Sequence, residues 1–184
     1  MFAFVAQSPV MQLVEQFEAA ARAAAARVDR VPRSADAIAA AVQRLEPGAK
    51  RIAIAEPMDV DAELFSACRR LPGAFSGGGK KEFAAADAGL TDVFAGVART
   101  GSVCLDIDHE DAGYVSLLPR AHVAVLDSAR IVARPADLFR PDVLGGAGLT
   151  RNFVFITGPS ATGDMGELVR GAHGPHRIHV LVLV

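Results

Sequence analysis

The stretch FVFITGPSATGDMGELVRGAHGPHRIHVLVLV, Phe153 to Val184, decides how this chain folds. Two apolar runs, FVFIT and IHVLVLV, enclose a segment crowded with Gly, Pro, Ser, Thr, Asp and His. Continuous Val/Ile/Leu runs bounded by turn residues are the pattern of strands buried on both faces, as in a parallel sheet flanked by helices. The segment between them cannot fill a core, because its backbone and side-chain polar groups need partners or water. It therefore reads as a loop joining two buried strands, and such a loop is where chemistry is expected.

Working outward, Ser8-Pro9 opens a helix, with Ser8 as N-cap and Pro9 at the first helical position. The Ala-rich run Val10 to Val28 carries Leu13, Phe17, Ala20 and Ala24 on one face. A second helix runs from Ser34, its N-cap, to Leu45, and Glu46-Pro47-Gly48 stops it. KRIAIAE is a strand, DVDAELFSACRR a helix, and LPGAFSGGGKK a loop by its Pro and Gly content. Thr91 and Asp92 are expected to start a short helix carrying Val93, Phe94 and Val97. SVCLDI is a strand, DHEDAG a polar hairpin tip, and Tyr114 to Leu118 the returning strand. HVAVLD is a further strand, Pro135 to Phe139 a short helix, and PDVLGGAGLTRN a connection. The alternation predicts a three-layer α/β domain with a mostly parallel sheet and an antiparallel hairpin around residue 110. Residues 1–46 are expected to form an N-terminal helical region packing on the core, and residues 47–184 the α/β domain itself.

Bulk composition narrows the function. The 184 residues are 51% hydrophobic and 22% charged, enough apolar matter for one real core. A net charge of −2, one Tyr and no Trp give no electrostatic or stacking footprint for nucleic acid. The start, MFAFVAQSPV, lacks a basic region and a long apolar stretch, so no signal peptide or membrane span is expected, and the location reads as cytoplasmic. Cys68 and Cys104 are the only cysteines, 36 residues apart and in no CxxC pattern. They read as reduced, buried thiols, and a thiolate-held zinc or iron–sulfur cluster is not expected.

Several motif-like stretches fail on inspection. GGGKK, Gly77 to Lys81, has Ala74 and Lys81 where a phosphate loop needs Gly and a hydroxyl residue. GGAG, Gly145 to Gly148, follows no strand and so is no dinucleotide fingerprint. DIDHED, Asp106 to Asp111, puts Asp111 where a calcium loop needs Gly and Leu117 where it needs Glu. His173, His176 and His179 recur every third residue, but Gly174 and Pro175 break any helix and strand alternation sends His176 and His179 to opposite faces. No metal site is assigned.

GPSATGD is different. If Gly163 to Leu168 form a short helix, the strand–turn–helix places several amides, with the Ser160 and Thr162 hydroxyls, around a position suited to an anion at the carboxyl end of a strand. An equally simple account makes Thr162 the helix cap and Asp164 a first-turn partner of the helix dipole. Local chemistry leaves both open.

The segment ITGPSATGDMGELVRGAHGPHRIHVLVLV also resembles the C-terminal signature of the LUD-domain family, a lactate utilization protein C-like group formerly described as a domain of unknown function. Its members carry a GPS-x-T-x-D-I-E segment, a GVHGP segment and an LHVIL-type final strand. VARTGSVCLD and SLLPRAHVAVLDSARIV resemble two further family blocks, so the likeness covers about residues 85 to 184. Departures stand at Arg99, at Met165 and Gly166, at His176, and at Gly113-Tyr114 before SLLP. The resemblance implies a fold like that of sugar-phosphate isomerases, CoA transferases and formyltetrahydrofolate cyclo-ligase. It implies a role as an accessory component of L-lactate oxidation to pyruvate, beside iron–sulfur partner proteins, with a small anionic ligand bound at strand ends. On this reading the binding rim is Gly158, Pro159, Ser160, Ala161, Thr162, Gly163 and Asp164, with Thr100, Gly101 and Ser102, and with His173 and Gly174. Asp164, His173, His122 and Glu167 are the candidates for acid–base work, and no cofactor is assigned to the chain itself. The alternatives are a stand-alone isomerase- or acyl-transferase-type enzyme on a small anionic substrate, and a non-catalytic small-molecule sensor.

The cysteine count carries a direct expectation. The purified chain should contain no stoichiometric iron and no visible iron–sulfur absorption. One cluster per chain surviving anaerobic purification would contradict it.

Overall fold

The structure is a computed structural model that describes residues 8–108, 111–144, 151–164 and 166–184. The chain forms α1 (Pro9–Ala23), β1 (Arg27–Val31), α2 (Ala35–Leu45), β2 (Ile52–Ile54), α3 (Ser66–Arg69), β3 (Ala74–Phe75), α4 (Lys80–Ala84), β4 (Ala88–Val93), β5 (Ala95–Val97) and β6 (Ser102–Asp106). It continues with α5 (Ala112–Leu117), β7 (Ala121–Asp127), β8 (Ile131–Val132), α6 (Pro141–Leu144), β9 (Phe153–Ile156), β10 (Ala161–Thr162), β11 (Val169–Arg170) and β12 (Arg177–Leu183). Single 3-10 turns occupy Ala62–Phe65, Ser128–Arg130 and Pro135–Phe139.

The main sheet has the order β1-β12-β7-β4-β2-β3, and every pairing in it is parallel. One face is covered by Ile38, Val42 and Leu45 of α2 with Phe65 and Cys68, which pack on Leu90, Val123, Val125 and Leu181. The other face takes Val14, Phe17 and Ala21 of α1, Val115 of α5, and Val103 and Leu105 of a second sheet. This is the expected α/β architecture with a mostly parallel sheet. The second sheet, β8-β5-β6-β9, holds the antiparallel pairs β5–β6 and β6–β9, so the hairpin turns at Ala98–Gly101 rather than around residue 110.

Several local expectations change. The first helix stops at Ala23 instead of Val28, because Ala25 adopts a left-handed φ of 66° and turns the chain into β1. A non-Gly residue in that conformation leaves no Gly signal in the sequence. β1, absent from the all-helical reading of the first 46 residues, buries Val28 and Val31 and pairs with β12. Its Arg30 is held by Glu18 of α1 at 2.6 Å.

The segment expected as a helix from Thr91 is instead β4 running on into β5. Thr91 and Asp92 look like helix caps only while their tertiary partners are unknown. Thr91 Oγ1 lies 2.8 Å from His122 Nε2. Asp92 Oδ2 accepts the backbone amides of Met58, Asp59 and Val60, which tie down the loop after β2, and burial pushes its carboxyl above the usual range. The strand expected over Tyr114 to Leu118 is helix α5, which buries Ala112, Val115 and Ser116. It can settle on β4 because Gly89 has no side chain: a Cβ there would sit 1.9 Å from the Val115 carbonyl oxygen. Finally, no helix follows Gly163; β10 and β11 form a small antiparallel hairpin instead.

FVFIT is a strand but not a buried one. β9 is the end strand of the second sheet, and Val154 and Phe155 are exposed. GGAG and His109-Glu110 lie outside the described residues.

Two close approaches fasten the second sheet to the end of α1. Gly101 and Gly158 both have positive φ, and a Cβ would fall 2.1 Å from Ala21 N in one case and 1.9 Å from Ala24 O in the other. Gly158→Ala should therefore cost roughly 2–4 kcal/mol, from the left-handed backbone and the backbone clash together. Gly163→Ala, with nothing within 4 Å of its Cβ, should change stability little. Urea unfolding of the two variants measures the contrast.

His122 is fully buried, and burial together with the charge of His179 pushes its pKa down to about 3. The unfolded chain takes up a proton near pH 6.5 that the folded chain refuses. Stability from this group is thus complete above about pH 6.5 and falls as pH drops below it, by at most about 1.4 kcal/mol per pH unit. The unfolding free energy of His122→Gln should fall less steeply than that of the parent between about pH 6.5 and pH 4.5.

Candidate functional site

α5 and β9 run side by side and enclose a groove of ≈ 660 Å³. At one end are Ile107, Gly113, Tyr114 and Val154; at the other are Thr157 to Ser160 and His173 to Pro175. The direction follows from two contacts: Gly113 lies against Ile107, and Gly174 lies against Leu117 and Ser160. Phe155, Ile156, Ser116 and Ile178 line the middle. β9 is anchored at its start by Arg151, which pairs with Asp59 at 3.0 Å and Asp106 at 2.9 Å and lies over the Phe94 ring.

The polar end is built by backbone as much as by side chains. Ser160 N donates to Pro175 O at 3.0 Å, and Gly171 N donates to Ser160 O at 2.8 Å. These two bonds draw the loop after β9 onto the loop before β12. They also occupy the Ser160 amide, so the cradle of free amides and helix N-terminus expected at GPSATG is not formed. The position relative to the main sheet changes too. The polar end sits beside the amino ends of β7 and β12, since Pro175 and Ile178 lie at the start of β12 and His176 N bonds Arg120 O at 2.8 Å. It lies at the carboxyl end of β9 alone.

Of the residues singled out in the sequence, Gly158, Pro159, Ser160, His173 and Gly174 come together on the groove. Gly158 is there as a packing residue, for the reason given above. Ala161 and Thr162 belong to β10, and Gly163, Asp164 and Glu167 lie exposed on the β10–β11 hairpin, lining neither this groove nor the hollow beside it. His122 is sealed inside the main sheet against Thr91 and is a core residue, not an accessible acid or base. Gly101 is likewise a packing residue.

Thr100 and Ser102 reach the groove indirectly. Thr100 Oγ1 and Ser102 Oγ are 2.7 Å apart, and Ser102 Oγ is 2.6 Å from Thr157 Oγ1, which opens on the groove. Thr157 was missed as a site residue because it reads as the last member of the apolar run FVFIT. Its polar side chain immediately before Gly-Pro was the available signal. Among the described residues, no carboxylate or imidazole bonds the hydroxyls of Ser102, Thr157 or Ser160.

A second hollow of ≈ 300 Å³ adjoins the polar end, sharing Leu117, His173 and Gly174 with the groove. It adds Arg120 and His176. Gly171 makes room for the His176 ring, since a Cβ would lie 2.5 Å from three ring atoms. Arg120 and His176 were not in the expected rim, and no local pattern marks them, because the hollow is made by β7 and β12 starting side by side.

Cys68 and Cys104 are free, buried, and in separate apolar clusters. Burial pushes their thiols up to about 11 and about 12. Among the described residues, no three His, Cys, Asp or Glu side chains form a group that would hold a metal ion. No described helix is long and apolar enough to cross a membrane.

Known proteins resemble this chain in sequence and fold. The chain is 33% identical over 94 residues to lactate utilization protein C of Bacillus subtilis, covering 49% of this chain and 39% of that protein. It is 32% identical over 112 residues to lactate utilization protein B of Shouchella clausii, covering 56% of this chain and 22% of that one. The chain thus spans less than half the length of either relative. The crystal structure of a DUF162 family protein from Deinococcus radiodurans superposes with a TM-score of 0.72 over 97% of this chain and 100% of that one, at 20% identity, which shows a common fold. The model of the LUD domain matches residues 14–183, from within α1 to the end of β12, and the chain therefore belongs to the LUD-domain family.

Proposed function

We propose that this chain serves in lactate utilization as a ligand-binding component, working with separate iron–sulfur proteins and taking a small anionic ligand at the polar end of the groove. The observation that carries the reading is the convergence of Thr157, Ser160 and His173 at one end of a single large groove, with Arg120 and His176 in the hollow beside it. Hydroxyl donors, imidazole N–H groups and an arginine at the polar end of an apolar groove suit an anion. Relatives named lactate utilization proteins B and C supply the biological setting. The cysteines support the division of labour. Two deeply buried thiols in different clusters are poor cluster ligands, so electron-carrying centres belong to partners.

Binding is favoured over stand-alone catalysis by the hydroxyl chain. Nucleophilic attack by Ser or Thr needs an adjacent base within hydrogen-bond reach. Here Thr157 is joined to Ser102 and then to Thr100, so the chain orients a hydroxyl without activating it.

The test is complementation of a deletion strain on L-lactate, with thermal melts of the same variants. Ser160→Ala and His173→Ala should shift stability by no more than about 0.5 kcal/mol, as substitutions outside the core do, and should impair growth. Asp164→Ala, on the exposed hairpin, should grow like the parent. Full growth of the first two variants would remove the groove from the lactate role.

A further inference from the structure

The groove is too large and too apolar for lactate, whose whole apolar surface is one methyl group. Eleven large hydrophobic side chains are exposed among the described residues, and five of them, Ile107, Tyr114, Leu117, Val154 and Phe155, line this one groove. Scattered exposed apolar residues need no explanation, but a cluster around a cavity marks a surface that a ligand or partner covers. Its volume of ≈ 660 Å³ is of the size that encloses a drug-sized molecule.

We propose that the natural ligand is an amphipathic anion: an apolar chain or ring system lying along the groove between α5 and β9, with a carboxylate or phosphate head at the Ser160–His173 end beside Arg120. This rests on the anion-binding reading above and adds the ligand's body. The polarity of the groove sets the orientation. Its far end, Ile107, Gly113, Tyr114 and Val154, presents apolar surface, whereas the near end brings Thr157, Ser160 and His173. The hollow that holds Arg120 and His176 meets the groove at Gly174, which lines both. A Cβ on Gly174 would come within 3.1 Å of Leu117 Cδ1 and 3.2 Å of Ser160 Cβ, so its missing side chain leaves room where the two meet. Lys80 also lies near the groove, 5.3 Å from the centre of the Tyr114 ring, but it lines neither cavity. Arg120, whose charge also acts on Asp87, lines the hollow beside the polar end, so the head group is assigned there and not to Lys80.

Calorimetric titration of the whole chain with L-lactate, butanoate, hexanoate, octanoate, octyl phosphate and octan-1-ol tests the assignment. Affinity should rise about three- to fourfold per methylene along the carboxylates, the increment expected for burying a CH₂ group. L-Lactate should bind more than tenfold more weakly than octanoate, and octanol more weakly than either octyl anion. The stronger of octanoate and octyl phosphate identifies the head group. Arg120→Gln should weaken both octyl anions at least threefold and leave octanol unchanged, Lys80→Gln should change none of them, and Phe155→Ser should weaken all three octyl compounds. Lactate binding as tightly as octanoate, or affinity independent of chain length, would overturn the amphipathic ligand and leave the anion site standing. Failure of every anion to bind would remove both. Octanol binding as well as octanoate, with no response to Arg120→Gln, would reduce the groove to a plain apolar patch and overturn the proposal.

Discussion

Strand β12 lies between β1 and β7, in parallel register with both, and most of what matters in this molecule hangs on that insertion. β1 comes from the first 31 residues and β12 from the last eight, so the main sheet is complete only when distant parts of the chain meet. The pairing Ile178↔His122 brings the starts of β7 and β12 together. From there Pro175 reaches the Ser160 amide, His176 reaches the Arg120 carbonyl, and the polar end of the groove takes shape. A slip of one residue along β12 would turn every side chain to the other face and take the loop before it out of place.

That register is reinforced from the other face of the sheet. Glu46, the residue that caps α2, accepts hydrogen bonds from Arg177 Nε at 2.9 Å and Nη2 at 2.7 Å and lies 2.8 Å from His179 Nε2. Burial alone would push the Glu46 carboxyl up, but the hydrogen bonds from Arg177 and His179 outweigh it and hold it below the usual range. Burial pushes the pKa of His179 down, against the pull of Glu46. A paired carboxylate with several donors is tolerated in a buried position, whereas removal of one partner leaves an uncompensated charge. The helix end and the strand start are thereby locked to each other, a few residues from the loop that closes the groove.

The groove itself follows from how two sheets are joined. β4 runs directly on into β5, so one continuous segment contributes to both sheets, and β9 ends up as an outer strand with one side over α5. A strand in that place cannot bury both faces, and its Val154 and Phe155 stay accessible. The same geometry explains why the glycines of the region are not interchangeable. Gly101 and Gly158 let the second sheet touch the backbone of α1, Gly171 and Gly174 shape the hollow, and Gly163 has open space around it.

The amino-acid sequence by itself determined the α/β class, the helix from Ala35 to Leu45, the strands around Ile52, Val103, Val123 and Val180, and the loop that carries Ser160 and His173. These are local matters: apolar periodicity, a Ser N-cap, a Pro-Gly stop and a Gly-rich turn act within a few residues. The tertiary structure alone decided the rest. Ala25 takes a left-handed conformation that its side chain does not advertise, and β1 is therefore invisible locally. Thr91 and Asp92 look like caps until His122 and the loop at Met58–Val60 arrive as partners. Thr157 joins the site through Ser102, 55 residues away in the chain, and Arg120 joins it through the pairing of β7 with β12. A groove is a relation among elements distant in sequence, so the chemical character of its loop could be read from the residues while its walls, its depth and its apolar far end could not.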